Sequence, residues 1–291
     1  MKVLVIGVGG ERESFAQLRT WSLSRWLTQR GIDTKQILLH PEDHSHSPEL
    51  LARIQDLAQH CTAAVTCGPY HPALVLDILP ENLPVWVDWP SDPLVDEHAK
   101  KLAGAASPQS TLAARLCSRM ALERADAIGV ISHRQKWLTT GQLLSIDRDS
   151  IPVEVVPVAY DFPAQQLLPE RKEAVLLSAG SANTWFDLSE LTKAMKQSPN
   201  LSLHLTGGII PEHYPQARAL VNDIARLSNV TAHGWLDKSE LQSIVQGSCC
   251  GVWIDRPGLE PLLGSRTQAL FYAWHGLPSI ASINCELSEW M

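Results

Sequence analysis

The chain has 291 residues, of which 45% are apolar and 19% charged, enough to bury the cores of about two domains. Its net charge is 24 − 31 = −7 and it has no long basic run, which argues against a nucleic-acid partner. No apolar stretch is long enough to span a membrane, and the N-terminus lacks the features of a signal peptide. We therefore expect a cytoplasmic protein, with peripheral association at the inner membrane face left open.

Short β-branched runs alternate with segments of helical periodicity along the whole chain. The predicted strands are Val3–Val8, Ala63–Thr66, Val85–Val87, Ala127–Ile131, Val153–Val158, Val175–Ser178, Leu201–Thr206, Val230–Ala232, Gly251–Ile254 and Ser279–Ala281. The predicted helices are Phe15–Arg30, Leu50–His60, Leu112–Arg124, Asp187–Gln197, Tyr214–Leu227 and Lys238–Gln246. This alternation predicts an α/β fold whose parallel sheets are covered on both faces.

A proline-containing segment without periodicity, Ala159–Arg171, divides two such series. We therefore predict an N-terminal domain over residues 1–162 and a shorter C-terminal domain over residues 170–291. The six cysteines are scattered and form no C-x-x-C pair, so neither a disulfide nor a metal site is predicted.

The first predicted strand ends in a glycine-rich turn, Gly7-Val8-Gly9-Gly10. A dinucleotide fingerprint would need a third glycine at position 12, where the chain has Arg12. Gly9 and Gly10 either form a tight turn or let the backbone approach a ligand closely.

Polar residues follow two other strands of the predicted N-terminal domain. Asp88 and Asp92 lie four residues apart in a proline-rich turn, and His71 follows the strand before them. Ligands of open α/β sheets bind at this edge, so all three are candidate catalytic residues. An Asx turn stiffened by proline and a structural histidine are the alternatives.

Two segments of the predicted C-terminal domain combine small residues with hydrogen-bonding groups. The loop Ser178–Asp187 places Asn183, Thr184 and Trp185 before a helix, and Gly208 ends the next strand. The loop is either part of a ligand site or an ordinary connection in which Thr184 or Asp187 caps the helix.

The second segment, Gly258–Pro278, has Gly264 and Ser265 at a predicted helix start and Arg266 in its first turn. A cation there opposes the helix dipole, which an anion such as a diphosphate bound beside it would offset. Glu260, in the preceding predicted loop, could bind sugar hydroxyls. Alternatively, Arg266 pairs with Glu260 or another carboxylate at the surface.

Taken in order, these motifs resemble the nucleotide-sugar-dependent glycosyltransferases of family 4, which have the GT-B fold of two facing Rossmann-like domains. Glu260 matches the first acidic position of their Glu-x7-Glu region, and Gln268 stands at the second. The Asn183–Asp187 and Gly264–Arg266 strings resemble the donor domain of a bacterial subgroup, and Asp88–Pro93 resembles its acceptor-domain turn. Such chains normally continue beyond the helix that begins near Glu286, so we expect a shortened second domain.

The resemblance implies a transferase that moves a sugar from a nucleotide-diphosphate donor to a hydroxyl of a sugar, lipid-linked or small-molecule acceptor. We expect this transferase to need no cofactor beyond the donor co-substrate. Arg266 would neutralise the leaving diphosphate, a role for which other enzymes use a metal ion. A nucleotide-sugar epimerase and a non-catalytic sensor or partner subunit are the alternatives. Among the ten tryptophans, Trp89 and Trp185 are expected to stack on ligands, whereas Trp21, Trp26, Trp137 and Trp274 are expected in the core.

Overall fold

The computed structural model describes residues 1–9, 15–39, 47–68, 70, 73–157, 174–209, 214 and 216–289. The chain divides into two compact units. The first contains Met1–Glu97 and Pro108–Asp161, and the second contains His98–Ser107 and Phe162–Met291. The short segment His98–Ser107 therefore belongs to the second unit although the chain on both sides of it belongs to the first.

The first unit is built on a parallel sheet of six strands. They are β1 (Lys2–Val8), β2 (Asp33–Leu39), β3 (Ala63–Cys67), β4 (Val85–Trp89), β5 (Ala127–Val130) and β6 (Val153–Val155), in the order β2-β1-β3-β4-β5-β6. The helices are α1 (Phe15–Gln29), α2 (Pro48–Gln59), α3 (Pro93–Leu102), of which only residues 93–97 belong to this unit, α4 (Pro108–Arg124) and α5 (His133–Leu144), with a 3-10 helix at Ala73–Ile78. The order reverses between β1 and β3, as in doubly wound folds.

Alternation along the strands divides the core of this unit between the two sheet faces. Leu4 and Ile6 of β1 belong to a large cluster that also includes buried side chains of α2, α4 and α5. Val3 and Val5 belong to a smaller cluster with Leu27 of α1. The helix α1 therefore covers the opposite face from these other helices.

The second unit has a parallel sheet of five strands. They are β7 (Val175–Ser178), β8 (Ser202–Thr206), β9 (Val230–Gly234), β10 (Cys250–Trp253) and β11 (Ser279–Ala281), in the order β11-β10-β7-β8-β9. The helices are α6 (Leu188–Gln197), α7 (Ala217–Ala225), α8 (Lys238–Gly247), α9 (Leu259–Leu263), α10 (Thr267–Trp274) and α11 (Glu286–Glu289). The predicted α/β class with parallel sheets is confirmed.

Local capping signals explain several helix starts. Ser132 accepts a hydrogen bond from the Gln135 amide at the start of α5. Asp237 and Glu240 form a capping box at the start of α8. Asp187, rather than Thr184, caps α6.

Four of the tryptophan predictions were wrong, in both directions. Trp89 is fully buried in the sheet, so it is a core residue and not a stacking platform. In contrast, Trp21, Trp26 and Trp137 are 38%, 50% and 74% exposed. Helical position alone did not show which face of α1 and α5 points outward.

Among the described helices, none is both long and apolar enough to cross a bilayer.

A buried ion pair joins α1 to the carboxyl end of β4. The Arg19 guanidinium donates two hydrogen bonds to Asp88, one of them with an Nη2–Oδ1 distance of 2.7 Å. It also donates to the main-chain carbonyls of Val156 and Pro157, just after β6. Burial alone would lower the pKa of Arg19, but Asp88 more than offsets this and raises it. One side chain thus fixes three segments of the unit.

We expect Arg19→Met to lower the free energy of unfolding by about 3–5 kcal/mol, because it leaves the buried Asp88 carboxylate without a cation. Urea denaturation of Arg19→Met, Asp88→Leu and the double variant measures the coupling. The double variant should recover most of the loss. As a control, Lys193→Met breaks an exposed pair with Glu190 and should change stability by less than about 0.5 kcal/mol. Equal effects of the Arg19 and Lys193 substitutions would contradict this prediction.

Candidate functional site

The candidate site lies at the carboxyl edge of the second unit's sheet, where the loops after β7, β8, β9 and β10 begin. Ligands of open α/β sheets bind at this edge because the connecting loops and helix N-termini point there. All the candidate donor-binding residues predicted from the sequence follow β7, β8 or β10.

The loop after β7 is held against the neighbouring strand end by its backbone. The Ala182 amide donates to the Gly208 carbonyl, with an N–O distance of 3.0 Å. Within the loop, Asn183 Nδ2 donates to Ser181 Oγ at 3.0 Å, and Thr184 is buried. Trp185 is half-buried, and its carbonyl accepts from the Arg256 amide. The backbone of this loop is therefore fixed at Ala182 and at Trp185.

Two glycines after β8 allow an unusually close approach of backbone and side chain. Gly207 has φ +94°, and a Cβ there would lie 2.2 Å from the Gly180 carbonyl oxygen. A Cβ on Gly208 would lie 1.7 Å from Nε1 of Trp235. Trp235, which directly follows β9, is 43% exposed and lies over Gly208. Trp235 was not among the candidates predicted from the sequence, although the Gly234-Trp235 pair after a predicted strand gave a signal.

Three buried charged side chains, Arg266, Asp255 and Glu260, form an ion triad near this edge. The Arg266 guanidinium donates from Nε to Asp255 Oδ1 at 2.8 Å, and from Nη1 and Nη2 to the two oxygens of Glu260 at 3.0 and 2.6 Å. Arg266 and both carboxylates are buried. The sequence analysis expected Glu260 in a loop, but it lies in α9. The structure contains the Arg266–Glu260 pair that the sequence left as the alternative to ligand binding. The pair is buried, however, and does not lie at the surface.

The triad carries more negative than positive charge. Burial opposes the charge on Arg266, but Glu260 and Asp255 more than offset this and raise its pKa. Burial also raises the pKa of Asp255, even though Arg266 acts in the opposite direction. The second oxygen of Asp255, Oδ2, is buried and has no hydrogen-bond partner among the described residues.

The start of α10 presents unpaired backbone amides. Arg266 is the N-cap of this helix and makes no side-chain capping bond, so it precedes the first turn in which the sequence analysis placed it. In the described part of the chain, no acceptor is found for the amides of Ser265, Arg266, Thr267 and Gln268. Such a helix start attracts anions. The Gln268 side chain lies beside Gly180, where a Cβ would be 2.9 Å from Nε2.

Neighbouring residues complete this edge without forming a cluster of metal ligands. The Gly264 amide donates to the Glu260 carbonyl at 2.8 Å, which ends α9 just before Ser265. Across the described ranges, no group of three or more His, Cys, Asp or Glu is placed to hold a metal ion.

Three candidate residues of the first unit, Gly9, Asp88 and Asp92, lie at the carboxyl edge of the other sheet. The Gly9 amide donates to the Leu39 carbonyl at 2.9 Å. Asp88 is the buried partner of Arg19. Asp92 is also buried, and accepts from the Leu94 amide at 2.8 Å and from Gln142 Nε2 at 2.7 Å. Burial raises its pKa despite these bonds. Gly10 and His71 lie outside the described residues.

No protein-family model and no curated protein matches the chain, but solved structures match over almost its whole length. Anabaena HepE in complex with UDP and glucose is 13% identical, with a TM-score of 0.63 over 100% of this chain and 83% of HepE. Sucrose-phosphate synthase from Thermosynechococcus elongatus is 18% identical, with a TM-score of 0.64 over 98% and 82%. The lipopolysaccharide outer core galactosyltransferase WaaB is 14% identical, with a TM-score of 0.55 over 97% and 80%.

The chain has the GT-B glycosyltransferase fold. The predicted fold class is thereby confirmed, and at these identities the likeness concerns the fold. In this GT-B fold, the candidate donor residues from the loop after β7 and from the α9–α10 segment lie at the carboxyl edge of one sheet.

We expect Arg266→Gln to lower the free energy of unfolding by about 3 kcal/mol or more, because Asp255 and Glu260 would lose their shared cation. Chemical denaturation measures the change. Arg226→Gln is a matched control, since Arg226 pairs with Asp223 on the exposed surface of α7. Arg266→Gln unfolding at the same denaturant concentration as Arg226→Gln would contradict the prediction.

We also expect stability to fall in acid through His275, at the end of α10. Burial lowers its pKa from the ordinary 6.5 to about 4. The unfolded chain therefore binds this proton more readily, and protonation favours unfolding. This contribution is complete above pH 6.5 and is lost as the pH falls through about 4, amounting to at most about 3 kcal/mol.

Unfolding free energies measured between pH 7 and pH 4 test this expectation. His275→Phe keeps an aromatic ring against Phe271 and Trp274 but cannot titrate, so its stability should vary less with pH. An unchanged pH dependence in His275→Phe would show that the residue does not contribute.

Proposed function

We propose that the protein is a glycosyltransferase that moves a sugar from a nucleotide-diphosphate donor to an acceptor hydroxyl. The observation that carries the proposal is the set of unpaired amides at the start of α10. They lie in the same unit as a small-residue loop after β7 and a glycine pair after β8. HepE, which shares the fold, is described as bound to UDP and glucose.

In this proposal the donor diphosphate binds at the start of α10, at Gly264, Ser265 and the following amides. The N–H groups of Arg266 Nη1 and Nη2 that Glu260 does not occupy can donate to the same phosphates. The loop residues Asn183 and Thr184 line the other side. Transfer then proceeds without a metal, because these donors stabilise the negative charge of the leaving diphosphate.

Two tryptophan rings at this edge would bind the rest of the donor. Trp235 offers a flat ring above Gly208, and Trp185 offers a second one in the loop after β7. Gln268 can donate to and accept from sugar hydroxyls. Glu260 can also accept from the sugar, but both of its oxygens already accept from Arg266, so this contact would be shared.

On the acceptor side, the proposal assigns proton transfer to His71 and close backbone contact to Gly9 and Gly10. Asp88 and Asp92 contribute by holding the ends of β4 and α3 in place, since their oxygens accept from Arg19, Leu94 and Gln142. The acceptor is a hydroxyl of a sugar, a lipid-linked molecule or a small molecule.

A non-catalytic sugar-nucleotide sensor is the second candidate. It is favoured by Gln268, which replaces an acidic group, and by the engagement of Glu260 with Arg266. A sensor would bind a nucleotide sugar without cleaving it. Incubation with the donor identified below and a panel of acceptors distinguishes the two, because only the transferase releases nucleoside diphosphate in an acceptor-dependent way.

Titration calorimetry with UDP, GDP, dTDP and ADP tests the proposed donor site. We expect one nucleotide to bind selectively and Thr267→Pro to weaken its binding about tenfold or more. Proline is well tolerated at the first helical position but removes the amide that would contact the phosphate. The backbone of Arg266, with φ −99° and ψ 108°, suits a residue before proline.

Thr267→Ala is the matched control, because it removes the side chain and retains the amide. It should bind the nucleotide as the wild type does. If Thr267→Pro binds equally well, the phosphate does not lie at α10. If no nucleotide binds the folded protein, the transferase proposal fails.

A further inference from the structure

The outer face of α1 combines aromatic and cationic side chains. Trp21 and Trp26 are 38% and 50% exposed, and Arg25 between them is also exposed. Just after the helix, the Arg30 guanidinium lies over the Trp26 ring, 4.0 Å from its centroid. These four residues are called the α1 face below.

The charge of this segment is opposite to that of the protein as a whole. Residues 15–31 contain three arginines and no acidic residue, whereas the whole chain has a net charge of −7. Arg19 is internal and paired with Asp88. The α1 face therefore carries only cationic and aromatic groups, which suits a negatively charged partner.

The positions of the tryptophans suit a planar partner. At about 100° per residue, Trp21 and Trp26 are about 140° apart around the helix, with Arg25 between them. A helix lying flat on a surface would place both rings at its flanks and the arginine against the surface. Tryptophan favours the interfacial layer of a bilayer, and arginine is attracted to anionic headgroups.

The size of the α1 face disfavours a stable protein partner. Fifteen helical residues at about 1.5 Å each span about 22 Å, and a helix face is about 10 Å wide, which gives roughly 220 Å². A stable protein interface needs about 800 Å² from each partner. A lipid surface imposes no such area requirement.

We propose that the α1 face docks the protein onto an anionic lipid bilayer. Binding combines shallow insertion of Trp21 and Trp26 with attraction of the arginines to the headgroups. It is therefore reversible and weakens with salt. This inference is independent of the proposed transferase activity, because it uses no residue of the candidate site.

Co-sedimentation of the full chain with vesicles tests the inference. Vesicles of phosphatidylcholine that contain about 30 mol% phosphatidylglycerol, and therefore have a negative surface potential, are compared with vesicles of phosphatidylcholine alone. We expect clear binding to the anionic vesicles only, lost in high salt. Trp21→Ser/Trp26→Ser should reduce the partition coefficient about tenfold, and Arg30→Gln about fivefold.

Trp137→Ser is the matched control, because Trp137 is a highly exposed tryptophan on α5 of the same unit. It should bind as the wild type does. Circular dichroism verifies that each variant is folded, and Arg30→Gln provides the test if the double tryptophan variant is not. Equal binding by wild type and by folded α1-face variants would overturn the inference, as would absence of wild-type binding to anionic vesicles. A self-association in light scattering that the same variants abolish would also overturn it, in favour of a second copy of the chain.

Discussion

The architecture of the candidate donor site depends on the Arg266 guanidinium, which is held between Asp255 and Glu260. Asp255 follows β10, Glu260 lies in α9, and Arg266 caps α10. Three consecutive segments are thereby tied together by one buried cation. Removing water from three charges is costly, and their mutual hydrogen bonds offset that cost only in a well-defined geometry. The triad therefore fixes where the unpaired amides of α10 point.

The first unit uses the same physical solution at the corresponding edge of its sheet. Arg19 joins α1, the end of β4 and the segment after β6 through Asp88 and two carbonyls. In both units, a carboxylate that the sequence offered as a candidate site residue pairs with an internal arginine. A carboxylate near a strand end can stabilise the fold as readily as it can bind or act on a substrate. The loops that converge at a sheet edge must also be held in fixed positions.

Local features of the sequence predicted much of the fold. Alternating strand and helix patterns located most of the elements, and the caps at Ser132 and at Asp237 with Glu240 join residues only three positions apart. The partner of Asp88 could not be read in this way, because Arg19 lies 69 residues away and meets it only through the topology. The burial of Trp89 and the exposure of Trp26 likewise depend on which face of an element packs inward. The position of Trp235 over Gly208 brings together β8 and β9, so it too required the register of the sheet.

The charge balance of the triad bears on the binding of any anion at α10. Two ionised carboxylates and one arginine leave an excess negative charge beside an N-terminus whose amides attract anions. Burial already raises the pKa of Asp255, and its Oδ2 atom has no donor among the described residues. A bound phosphate would raise that pKa further, since like charges favour the protonated form. Anion binding and proton uptake by Asp255 are then linked, and each strengthens the other. Arg266, which fixes the start of α10, is therefore only partly available to a ligand. Protonation of Asp255 would make more of the Arg266 charge available to that ligand.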